Sequence, residues 1–341
     1  MQLPHVLNKY RSAIDSELEA LLQPYRLPLY DMMRYHLGWI DEHGNTLFDS
    51  SGKALRPTLC LMAAEAVGQD YHMALPVAAA VELIHNYSLI HDDIQDDDGE
   101  RRNRRTVWKI WGKPQAINAG SAMRILANVA LTRSKNSGLT LDKYELGQTI
   151  LDEATLKLIE GQYLDIHYER RFDITIDDYL TMVRGKTAAL ISCSLELGAL
   201  TGTDDPDTLK LFNLLGESLG IAFQIRDDIL GIWGDAKETG KPKGSDIKRK
   251  KKTLPIVHAL YNGSEAVKDV LIRIFQKDSV GEDDIELVIN VLNNADAYLL
   301  VQKMVQEYSE KSDRLVQAIG MNIQHKNNFE QIVKFLSDRN Y

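Results

Sequence analysis

Disulfide bonding, membrane insertion and nucleic-acid binding all need residues that this chain has little of. There are only two cysteines, Cys60 and Cys193, far apart and both in apolar surroundings. That excludes a disulfide framework and points to a reducing compartment, with each thiol acting as a small core residue. No uninterrupted apolar stretch reaches the roughly 18 residues expected of a membrane span, so no stable membrane insertion is expected. The stretch from Met1 to Tyr25 carries charges and lacks the apolar run of a secretory signal, which makes a cytoplasmic location the expectation. A positive excess is missing too: 40 Lys and Arg against 49 Asp and Glu leave a net charge of −9. A general nucleic-acid binder is disfavoured on that ground, and no nucleic-acid partner is expected. Long proline- or serine-rich linkers and repeats of solenoid period are absent.

What is present is helical periodicity over an apolar content of 44%, enough for a substantial core. The pattern predicts helices at about Leu7–Leu22, Tyr30–Leu37, from Pro57 onward, Ala74–Asp96, Gln115–Arg133 and Asp142–Tyr168. Others follow at Asp177–Val183, Thr187–Leu200, Asp207–Trp233, Pro255–Tyr261 and from Ser264 to the C-terminus. Thr140 and Thr175 stand where N-caps belong. Breaks fall at Ser51-Gly52, Gly112–Pro114, Thr203–Pro206 and Gly234–Thr253. The reading is one all-α domain over 1–341, with a catalytic core at about 30–262 and C-terminal helices at about 263–341.

Two acidic clusters interrupt this pattern. The first, Asp92-Asp93-Ile94-Gln95-Asp96-Asp97-Asp98, ends a predicted helix; the second is Asp227-Asp228. Crowded carboxylates repel, and a helix that keeps them usually has a cation to hold. Asp92 and Asp96 are four residues apart, so they share a face about 6 Å apart along the axis. Hard divalent ions such as magnesium take oxygen ligands and share phosphate oxygens, so two facing clusters would cage a diphosphate. Cations stand beside them: Arg101 and Arg102 just after the first, and Lys241 and the run Lys248–Lys252 after the second. Lys53 and Arg56, and Lys186 with Thr187, mark two further helix starts suited to anions. His85 lies two helical turns before Asp92 on the same face.

These motifs resemble those of the trans-polyprenyl diphosphate synthases, the family of farnesyl and geranylgeranyl diphosphate synthases. The similarity runs in order through GKALRP at 52–57, IHNYSLIHDDIQD at 84–96, the arginine pair, GQYLD at 161–165 and KTAAL at 186–190. It continues through QIRDD at 224–228, Gly240-Lys241 and Lys251–Pro255. The resemblance implies a homodimer with an isoprenoid synthase type I helical bundle around a central active-site cavity, and three magnesium ions to a site. By resemblance Asp92, Asp96, Asp227 and Asp228 bind magnesium, with Asp93 in support. Arg101, Lys186, Thr187, Gln224, Lys241 and Lys251 hold an allylic diphosphate. Lys53, Arg56, His85 and Arg102 hold isopentenyl diphosphate. The implied reaction condenses the two into a short-chain all-trans prenyl diphosphate, geranylgeranyl or farnesyl. A lid formed by 234–253 would exclude water.

Product length should be set below Asp92. Tyr87 and Ser88 lie about 6–7.5 Å down the helix, and a bulky Tyr87 there resembles a floor for short chains. The two-residue insertion of many bacterial farnesyl synthases is missing. The chain also departs from the family pattern. Gly231 stands where most members have a third aspartate, with Asp235 a substitute only if the helix continues. Asn103 and Arg105 replace a glycine and a proline, and Ser121 an aspartate. Two alternatives share the aspartates: a class I terpene cyclase, which needs no isopentenyl cradle, and a non-catalytic regulatory subunit of another prenyl synthase.

Overall fold

The computed structural model describes residues 4–47, 52–235 and 242–337. Helices α1 (His5–Lys9), α2 (Arg11–Leu22), α3 (Pro28–Leu37), α4 (Leu55–Ala66) and α5 (Tyr71–Gln95) come first. After α5 the chain makes a two-stranded antiparallel ribbon, β1 (Glu100–Arg101) and β2 (Arg104–Arg105), in which Arg101 pairs with Arg104. Then follow α6 (Val107–Trp111), α7 (Lys113–Arg133), α8 (Leu141–Tyr168) and α9 (Ile176–Val183). A π-helical turn, Arg184–Ala188, leads directly into α10 (Ala189–Leu200), and α11 spans Pro206–Trp233. The remaining helices are α12 (Ser245–Lys248), α13 (Leu254–Asn262), α14 (Glu265–Phe275), α15 (Glu282–Asn294), α16 (Ala297–Ala318) and α17 (Ile323–Ser337).

Most predicted helices form near their expected bounds, and the differences have local causes. The Leu7–Leu22 stretch is two helices, joined at the buried Tyr10. The break expected between Val183 and Thr187 does not occur, because the π turn carries the helix through Gly185. The ribbon, α6 and α12 are too short to show a period. Thr175 caps α9 in a reciprocal box with Asp178, and Thr140 accepts from the Lys143 N–H. By length and composition α5 alone among the described helices could cross a membrane, although Glu82, His85 and Asn86 interrupt its apolar run. Its apolar window is 72% buried in the fold, as suits a core helix.

The chain divides into two compact units. One comprises 5–155 and 193–212; the other comprises 1–4, 156–192 and 213–341. In the first, the alanines of α5 let neighbouring helices approach, and Leu59, Leu61, Leu83, Ile84 and Met123 are fully buried. Gly198 permits the closest approach, since a β-carbon there would strike the Cys60 backbone. In the second unit, Tyr179, Ile221, Ile225, Ile229, Leu254 and Val301 make one core cluster, and Ile232, Ile256, Leu271, Val288 and Leu292 make another.

Candidate functional site

In the first unit, α5 starts on Asp70, which caps the His72 N–H, and ends with Asp96 as C-cap. Asp92 and Asp96 are thus one turn apart at the helix end, and the Asp96 N–H donates to the Asp92 carbonyl at 2.9 Å. Asp93 is the buried member of the cluster. It is 1% exposed, and its Oδ1 accepts from Arg101 Nε at 2.7 Å. Burial raises its pKa to about 7, against the opposing pull of Arg101. Arg101 also reaches Asp92 Oδ2 at 3.4 Å, so one guanidinium orders both carboxylates. Asp97 turns outward to Lys113 at 2.5 Å.

The ribbon holds the next cations. Arg102 (φ 53°) and Asn103 (φ 59°) both occupy the left-handed region, as a tight two-residue hairpin turn requires. Asn tolerates this; Arg does so at a cost of about 1–2 kcal/mol. The strain aims the Arg102 guanidinium at Gly52, where a β-carbon would lie 2.6 Å from its Cζ. That contact explains the glycine of GKALRP. Arg56 Nη1 lies 3.3 Å from His85 Nε2. Burial lowers the Arg56 pKa to about 10. Burial, reinforced by Arg56 and Arg102, holds His85 well below its ordinary value, so the ring is neutral at pH 7. Glu82, one turn before His85, is the buried counter-charge. Its Oε1 accepts from Asn86 Nδ2 at 2.9 Å, and burial raises its pKa despite the nearby arginines. The motifs do not mark Glu82; its signal is a lone acid inside an apolar helix. Lys53 is exposed. Arg104 is structural: it donates to the Tyr35 and Ile40 carbonyls and stacks on the Tyr35 ring.

Lower on α5, Tyr87 is 5% exposed and edge-on to His91, with ring centroids 5.6 Å apart. His91 in turn lies against Gly120, where a β-carbon would come 2.5 Å from its Cδ2. Ser88 Oγ donates to the His85 carbonyl at 2.7 Å.

In the second unit, Lys186 and Thr187 sit on the π-helical turn, a distortion frequent at functional positions. Gly161 of α8 and Gly185 of the turn make it possible: a β-carbon on Gly185 would lie 3.0 Å from the Gly161 Cα. Lys186 Nζ donates to Asp165 Oδ2 at 2.5 Å, and Thr187 Oγ1 to Gln224 Oε1 at 2.7 Å. Gln224 Nε2 then donates to Asp228 Oδ1 at 3.1 Å. Asp228 is 5% exposed, and its Oδ2 accepts from Tyr179 Oη at 2.6 Å and the Leu254 N–H at 2.8 Å. Burial raises its pKa to about 7. Asp227 is less buried than Asp228. Asp165, within the GQYLD motif, and Tyr179, which no motif marks, join this constellation. Asp235 lies beyond the end of α11 at Trp233 and is exposed, so the condition for its substituting is not met. Lys251 donates its N–H to the Asp246 carbonyl at 3.0 Å. Lys241 lies outside the described residues.

An all-α protein whose helices end in two such aspartate motifs has the isoprenoid synthase fold. Residues 38–292 match the family model described as polyprenyl synthetase. The chain is 44% identical to a (2E,6E)-farnesyl diphosphate synthase of Mycobacterium bovis over 72% of its own length. It spans 66% of that relative, just under two thirds. A geranylgeranyl diphosphate synthase of Mycobacterium tuberculosis is 40% identical, over 89% of this chain and 85% of that one. The crystal structure of a polyprenyl synthetase from Streptomyces coelicolor A3(2) superposes with a TM-score of 0.91 at 33% identity, covering 98% and 99% of the two chains. The chain belongs to the polyprenyl synthetase family.

Proposed function

We propose that the protein condenses isopentenyl diphosphate with an allylic diphosphate to make a short-chain all-trans prenyl diphosphate. The observation that carries the reading is the cationic group of Arg56 and Arg102 around the part-buried His85, with buried Glu82 as counter-charge. A second cationic cradle beside the first aspartate motif serves a transferase with two diphosphate substrates; a cyclase has no use for it. The relatives' names, farnesyl and geranylgeranyl diphosphate synthase, support the same substrate class.

The donors suit magnesium. Among the described residues no three Asp, Glu, His or Cys side chains converge tightly enough to chelate an ion alone. Aspartate carboxylates are hard oxygen donors, and they fit an ion that keeps waters and takes phosphate oxygens as further ligands. Asp92 and Asp96 would hold such an ion at the first motif, and Asp227 would hold one at the second. Asp93 and Asp228, buried and bonded, orient their neighbours. Bound magnesium supplies positive charge at the diphosphate that departs. Arg101 beside the first motif, and Lys186 and Lys251 beside the second, would add fixed cations for diphosphate oxygens, so that the allylic carbon–oxygen bond ionises with little reorganisation. Neutral His85 and the arginines hold isopentenyl diphosphate with its double bond near the cation, and proximity removes much of the entropic barrier. The new carbon–carbon bond forms, and the released pyrophosphate takes the proton. Tyr87 closes the path of the growing chain.

We place the active form as a homodimer of one-domain subunits. Ile117, Ile125 and Val129 on α7, and Leu146, Leu156, Ile159 and Tyr163 on α8, are large apolar side chains left exposed, which a second copy would cover. The deciding assay supplies magnesium, isopentenyl diphosphate and each of dimethylallyl, geranyl and farnesyl diphosphate, with products separated by chromatography. Elongation with at least one primer is expected. Failure with all three, or cyclised hydrocarbon without isopentenyl consumption, would sink the reading.

A further inference from the structure

Position 231, where the second motif lacks its third carboxylate, is not empty space. Gly231 lies one turn after Asp227 on α11 and therefore shares its face. A β-carbon on Gly231 would collide with the Asp246 carboxylate, meeting Cγ and Oδ2 well inside contact distance and Oδ1 at 3.1 Å. Asp246 belongs to α12, and the turn before that helix is tied to the end of α11. Gly244, at φ 73°, donates its N–H to the Ile232 carbonyl at 3.1 Å, and Ser245 Oγ donates to the Gly231 carbonyl at 3.4 Å. The chain thus leaves α11, returns and sets a carboxylate on the helix face where residue 231 offers none. Asp246 also lies near enough to Asp228 for their charges to interact.

We infer that Asp246 supplies the carboxylate that residue 231 lacks in the second motif, and that a side chain at 231 and the Asp246 carboxylate exclude one another. The inference rests on the magnesium–diphosphate reading above. Its steric part explains why glycine stands at 231: an aspartate there would displace α12 or strand two carboxylates in one place.

The test titrates inorganic pyrophosphate into the full-length protein with and without magnesium chloride, by calorimetry, alongside elongation assays. Asp246→Asn preserves shape and removes charge; it should weaken magnesium-dependent pyrophosphate binding about 10- to 100-fold. Asp246→Ala should do the same. Adding Gly231→Asp to Asp246→Ala, which clears the space, should restore binding to within about threefold, a strong departure from additivity. Gly231→Asp alone should weaken binding. Unchanged binding in Asp246→Asn would overturn the inference, as would a folded double variant no better than Asp246→Ala. Should the double variant not fold, Asp246→Asn decides alone. If the unaltered protein shows no magnesium-dependent binding, the proposed function itself fails, a result distinct from normal binding that survives Asp246→Asn.

Discussion

Asp228 illustrates how far a residue's environment can differ from what its motif suggests. Both its oxygens are taken by Tyr179, Gln224 and the Leu254 N–H, so it joins α9, α11 and α13. Tyr179→Phe removes one donor to a buried carboxylate and should cost about 1–3 kcal/mol in urea denaturation. Lys252 is a second case. Its ammonium donates to the Glu169 carbonyl at 2.8 Å and lies 4.5 Å from the Phe172 ring centroid. Burial lowers its pKa to about 8. The unfolded chain then holds this proton between about pH 8 and 10.5 while the folded chain does not, so this residue's contribution to stability rises with pH across that window. Lys252→Met should lose that rise, about 1–3 kcal/mol relative to the unaltered protein, in urea melts at pH 7.5 and 10. At the proposed floor, Tyr87→Ala should lengthen the product in chromatographic analysis; an unchanged product would place the floor elsewhere.

At the scale of elements, the π-helical turn determines where Lys186 and Thr187 sit. Regular spacing would rotate them away from Asp165 and Gln224, and the extra residue in the turn fits only because Gly161 and Gly185 let two backbones touch. Gly161→Ala would drive a β-carbon into the Lys186 backbone. The expected result is a loss of at least about 1–3 kcal/mol and of most elongation activity, read by thermal melting and product assay. Gly161 was visible in the sequence as a motif letter, but the turn was not, since hydrophobic periodicity cannot distinguish one π turn from a helix break. The β ribbon was hidden for a related reason: two residues per strand are too few to alternate. Long helices were the legible part. Their apolar periods extend over many turns, although α3 and α5 begin a few residues before the bounds read from the sequence.

For the molecule as a whole, the proposed dimer makes the exposed apolar side chains of α7 and α8 the decisive surface. Ile125→Asp should shift the protein from twice the subunit mass to the monomer in sedimentation analysis; an unaltered protein that sediments as a monomer would refute the dimer. The all-helical class, the order of motifs and the identity of most charged groups were determined by the sequence itself, because they depend on local spacing: 3.6-residue periods, a four-residue carboxylate pair, a glycine before a lysine. Partners far apart in the chain were decided only by tertiary structure. Glu82 beside Arg56 and Arg102, Tyr179 on Asp228 and Asp246 against Gly231 depend on close packing of helices separated by tens of residues. Which of two adjacent aspartates is buried, Asp93 and Asp228 here, was decided there too. Burial sets the cost of a charge, and only the folded chain determines burial.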